Sequence, residues 1–142
     1  MARILHSFMA MRTQSERCWV EERRAGVDGK TVIVALSGHV DAETYPAVEL
    51  RLTEILGLQL RHLVLDLHKT TYINSCGWGL VMMLSRRMGE RGGALVVASL
   101  TPEVGSGFHT LGLPTMIAAY SSVGAALTAI TASMPDSAET GV

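Results

Sequence analysis

Cysteine is scarce: Cys18 and Cys76 are the two in a chain of 142 residues. Two cannot make a disulfide framework, and neither belongs to a CxxC pair. Charge of one sign is missing as well. The 12 basic and 13 acidic residues leave a formal net charge of −1, and no basic stripe interleaved with aromatics marks a nucleic-acid surface. Direct nucleic-acid binding is therefore not expected. Long apolar runs are absent too. Hydrophobic residues make up 48% of the chain, yet "VIVAL" and "GLVMML" fall far short of the roughly 18 residues of a membrane span. The N-terminal "MARILHSFMAMRTQSER" lacks a continuous apolar core and a small-residue cleavage pattern. With thiols suited to a reducing compartment, the expected location is the cytoplasm.

Metal-binding patterns are equally lacking. His6, His39, His62, His68 and His109 show no HExxH or comparable ligand spacing. The even spacing of His62, Asp66 and His68 would place them on one side of a strand, where they read as a solvated face. No metal site and no cofactor is expected.

What the sequence does contain is an alternation of strand and helix patterns. Residues 1–15 read as a flexible leader, 16–132 as one domain and 133–142 as a flexible tail. "RCWVEERRAG" reads as a charged edge strand, Asp28-Gly29 as a hairpin turn and "TVIVALSG" as a buried strand. Ala42 to Leu56 changes to helical period, with Asp41 as its candidate N-cap and Gly57 as its stop. "HLVLDL" alternates, with Leu63, Leu65 and Leu67 on one face and His62, Val64 and Asp66 on the other, so one sheet face is expected to be only partly covered. A helix over Cys76–Arg91, a strand in "GGALVVAS", a short helix over Glu103–Leu111, a strand in "TMIAAY" and a closing helix over Ser121–Thr131 complete the domain. The pattern predicts an α/β domain with a mixed sheet of about five strands, opened by an antiparallel hairpin and continued by parallel β-α units. Sites in such a sheet lie beyond the carboxyl ends of its strands.

That places attention on "TYINSCGWGL", Thr71 to Leu80. Asn74 or Ser75 is a candidate helix N-cap there. GxSxG is not met, since Ile73 stands where the first glycine should be. Cys76 has no resolving cysteine or evident base beside it. Asp66-Leu67-His68 is not the DxD of an aspartate phosphatase, and no catalytic residue set can be assembled. Trp78 is a partner anchor if exposed and core if buried.

The ordered set "GHVDAETYPAVELRL", "HLVLDLHKTTYINSCGWGLVMML", "RGGALVVASL" and "FHTLGL" resembles the STAS domain family, which includes the anti-sigma factor antagonists. The resemblance runs from about residue 31 to 130. Asn74, Ser75, Cys76, Gly77, Trp78 and Gly79 take the places of the family's Asp-Ser-Ser-Gly-(aliphatic)-Gly. It implies a binding switch and not an enzyme: Ser75 is phosphorylated by an anti-sigma factor that is also a serine kinase, and a serine phosphatase resets it. The partner surface implied comprises Asp41, Asp66, Asn74, Ser75, Cys76, Gly77 and Trp78. Asn74 departs from the usual aspartate and Trp78 from a small aliphatic residue. An unphosphorylated STAS scaffold subunit, in a stress-signalling or lipid-transport complex, is the alternative.

Overall fold

The computed structural model describes residues 18–25 and 29–132. The expected leader and tail, and Asp28 of the hairpin turn, lie outside them. In chain order the elements are β1 (Cys18–Ala25), β2 (Thr31–Val40), α1 (Tyr45–Leu56), β3 (His62–Asp66), β4 (Thr70–Ile73), α2 (Ser75–Glu90), β5 (Ala94–Ala98), α3 (Pro102–Thr110), β6 (Ala119–Tyr120) and α4 (Val123–Ala132). The hairpin is as expected: β1 pairs antiparallel with β2 from Cys18↔Gly38 to Ala25↔Thr31. Gly29 sits in the turn at φ +70°, a conformation glycine adopts without strain. Strands β3, β5 and β6 add in parallel, giving the order β1-β2-β3-β5-β6.

The sixth strand was not legible in the sequence. β3 pairs with Thr31–Ala35 of β2, and β4 takes up the remainder, pairing parallel with Gly38–Val40 across a register shift at Gly38/His39. The chain steps across through Leu67–Lys69, where Thr70 N–H donates to Leu67 O at 3.1 Å and Gly38 N–H to Lys69 O at 2.9 Å. Thr70 is buried, and its hydroxyl donates to Leu36 O at 2.6 Å. A buried threonine is tolerated because that bond replaces its water. The final strand is shorter than the sequence suggests. Leu113–Thr115 form a 3-10 turn, and Ile117 N–H is tied back to Leu113 O at 2.9 Å, so that only Ala119 and Tyr120 reach the sheet.

Alternation divides the apolar side chains between two cores. Val32, Val34, Leu36, Leu63, Leu65 and Leu67 face the larger one, under α1, α2 and α3. Ile33, Val64, Val96 and Ala98 face a smaller one, closed by Ala126 and Ile130 of α4. Helix α4 packs over β3, β5 and β6. The β1–β2 half of that face stays open, as a groove of about 370 Å³ lined by Trp19, Glu21, Arg23, Ile33 and Asp66 among others.

Trp78 belongs to the larger core. It is 2% exposed, and its ring lies 5.5 Å from that of Phe108 on α3. The expectation that it offers an exposed anchor is therefore corrected: at this position on the first turn of α2 the side chain points inward. A β-carbon on Gly107 would lie 3.3 Å from Trp78 Nε1, so α3 carries glycine where the indole comes closest. Replacing Trp78 by alanine is expected to cost about 3–5 kcal/mol of stability, the range for emptying an aromatic site in a core. Chemical denaturation measures it; a loss below about 1 kcal/mol would contradict the burial.

Candidate functional site

The carboxyl ends of β2 and β4 leave the sheet side by side. Val40 and Ile73 are register partners, and the next residue, Asn74, donates its N–H to Val40 O at 2.9 Å. Asn74 is extended, at φ −81° and ψ 178°, the geometry of an N-cap. Its Oδ1 accepts Gly77 N–H at 2.8 Å, while its carbonyl accepts Trp78 N–H at 3.0 Å. Of the two candidates the cap is thus Asn74. Ser75 becomes the first residue of a helix of 16, and it is exposed. No hydrogen bond to the described residues uses its hydroxyl.

Gly77 is buried. An added β-carbon would meet Ile73 Cγ2 at 2.7 Å and Val40 Cγ1 at 2.9 Å. The residue lets α2 sit down on the β2–β4 pair and offers nothing to a partner, nor does Trp78. Cys76 is exposed and faces α1. Burial, then the charges of Glu49 and Cys76, raise the pKa of the Tyr45 hydroxyl.

Asp41 follows Val40 directly and so stands beside Asn74. It is not the N-cap of α1. Its Oδ1 accepts Glu43 N–H at 3.0 Å and Thr44 N–H at 3.1 Å, which holds a turn and delays the helix to Tyr45. Thr44 occupies the cap position, but its hydroxyl donates to His39 O at 2.7 Å instead. The correction follows from local competition: an Asx turn satisfies these amides before the helix begins. Asp41 also reaches β1. Burial first, and then the Asp41 charge, push the Cys18 thiol up to about 11.

Asp66 is not brought to this surface. It points away from Leu65 and Leu67 into the open sheet-face groove, where its Oδ1 accepts His68 N–H at 3.1 Å. Strand alternation alone puts it there. Sequence reasoning missed Tyr72. It is 48% exposed and lies against His39, ring to ring at 6.0 Å, while Thr71 Oγ1 is bonded to His39 Nδ1 at 2.7 Å. Recognising β4 would have exposed it, since Tyr72 is the β4 residue paired with His39.

The family model described as "STAS domain" matches residues 22–126. The chain belongs to the STAS domain family. Among curated proteins, this STAS domain is 31% identical over 74 residues to the "Anti-sigma F factor antagonist" of Paenibacillus polymyxa, a match covering 51% of this chain and 63% of that protein's own length. It is 28% identical over 109 residues to BtrV of Bordetella bronchiseptica, provisionally named an anti-sigma factor antagonist, covering 77% and 93% of the two chains. The crystal structure of an anti-sigma factor antagonist from Mycobacterium paratuberculosis has the same fold, with a TM-score of 0.69 at 24% identity over 79% of this chain and 94% of that one. Among the described residues, no helix of the STAS domain is long and apolar enough to cross a membrane.

In this STAS domain the cap is neutral where the family carries aspartate, and both side chains present the acceptor oxygen that the cap requires. Asn74→Ala is expected to cost about 1 kcal/mol of stability, while Asn74→Asp costs less than half of that. Thermal unfolding of the two variants checks the difference; equal losses would mean that the Oδ1–Gly77 bond is not what holds the turn.

Proposed function

We propose that this STAS domain is an anti-sigma factor antagonist, a cytoplasmic binding switch without catalytic activity, set by phosphorylation of Ser75. The observation that carries the reading is the division of labour at the start of α2: Asn74 caps, and the hydroxyl of Ser75 is left exposed. A partner kinase has access to that hydroxyl. Its oxygen would attack the γ-phosphorus of the kinase's ATP, its proton would pass to the kinase's base, and ADP would leave. A serine phosphatase would hydrolyse the ester and restore the hydroxyl.

A phosphate adds about −1.5 to −2 charges at pH 7. At the first position of α2 it would meet the unpaired amides and positive end of the helix dipole, so the domain itself accommodates it. An anti-sigma factor surface shaped to a small neutral hydroxyl does not, because an unmatched charge is costly to bury. The proposed contact surface is Asp41, Tyr72, Asn74, Ser75 and Cys76. It omits Gly77 and Trp78, which are buried, and Asp66, which lies in the open-face groove. Tyr72 takes the anchoring role first considered for Trp78, since aromatic side chains dominate interface hot spots.

The test compares binding to the anti-sigma factor by titration calorimetry. Ser75→Ala is expected to bind like wild type, and Ser75→Asp to lose about 2–5 kcal/mol with an unchanged melting temperature. Undiminished binding by Ser75→Asp would favour a scaffold subunit that is not switched, a reading for which the neutral Asn74 beside the serine is the supporting observation.

A further inference from the structure

The opposite end of the sheet carries a different feature. The ten residues of β2 separate the two ends by roughly 30 Å. Here Lys30, Gln59, Arg61 and Arg91 converge on an open basin of about 470 Å³, and no carboxylate lines it. The cations come from three separate segments: the hairpin turn, the approach to β3 and the end of α2.

The backbone beneath them is firmly joined. Arg61 N–H donates to Lys30 O at 2.8 Å, Ala94 N–H to Arg61 O at 3.1 Å, and Gly93 N–H to Met88 O at 2.9 Å. A β-carbon on Gly93 would fall 1.7 Å from Arg61 O, so these segments cross at a distance that only glycine permits. Arg91 is further fixed by donating Nη1–H to Leu58 O at 3.2 Å. The helix dipole accounts for a cation at the end of α2. It does not account for Arg61, which is exposed and has no side-chain bond to the described residues. Gathering like charges on a rigid platform is unfavourable unless an anion is drawn to them.

We infer that this basin binds a phosphate-bearing ligand, with Arg61 and Arg91 presenting guanidinium forks to its oxygens and Lys30 adding a point charge. The same chemistry serves a small soluble phosphate compound or the headgroup of an anionic lipid. The site is remote from Ser75 and stands apart from the switch.

The test uses the full chain in magnesium-free buffer with two probes: inorganic pyrophosphate by calorimetry, and co-sedimentation with phosphatidylglycerol vesicles against phosphatidylcholine alone. The expected result is binding of at least one probe in the millimolar range or tighter, weakened about tenfold or more in Arg61→Gln/Arg91→Gln, as for the loss of a charge-assisted contact. Arg61→Gln alone, which leaves the Arg91–Leu58 bond intact, is expected to weaken binding measurably at an unchanged melting temperature. Pyrophosphate binding identifies a soluble ligand, and vesicle binding without it identifies a headgroup. Failure of wild type to bind either probe, or equal binding by the double variant, would overturn the inference.

Discussion

A methyl group at position 77 would stand 2.7 Å from Ile73 Cγ2 and 2.9 Å from Val40 Cγ1, inside the distance at which carbon atoms can rest. The first turn of α2 therefore takes its place on the β2–β4 pair because that residue is glycine. Much of the candidate site follows from this approach. It sets Asn74 where its own amide meets Val40 O and its side chain meets Gly77 N–H. It turns Trp78 inward against Phe108. It leaves Ser75 and Cys76 on the outer side of the turn, next to Asp41.

The arrangement explains how one residue can be exposed for modification without loosening the domain. The duties of capping, packing and presentation fall on different side chains: Asn74 caps, Gly77 and Trp78 pack, and Ser75 presents a hydroxyl. The helix behind it has 16 residues and buries Leu80, Val81, Leu84 and Met88. A charge added at its first residue is offset locally by the dipole, while the core is untouched. A switch of this kind works by altering what can dock, not by altering the fold.

The α/β order, the hairpin and the helix after the junction were legible because each has a strong period or turn signal. β4 was not, since "TTYI" shows no alternation and its buried threonine is satisfied by a bond to a distant strand. Its omission hid Tyr72. Asp41 was read as a helix cap because an Asx turn and an N-cap begin with the same residue types. Asp66 was grouped with the junction by family likeness, whereas its own strand parity, already visible beside Leu65 and Leu67, assigns it to the other face. Trp78 could not be placed from sequence at all. Whether the indole is buried depends on α3 presenting Gly107 to it, a contact between residues far apart in the chain.

The central claim is that Ser75 is the hydroxyl a partner kinase modifies. Incubating the wild-type chain with an anti-sigma factor kinase and ATP, then mapping the product by tandem mass spectrometry, tests it most directly. The account predicts a single phosphate on Ser75 despite the neutral Asn74 beside it. A phosphate on any other residue, or none under conditions in which the kinase modifies an antagonist of its own, would contradict it.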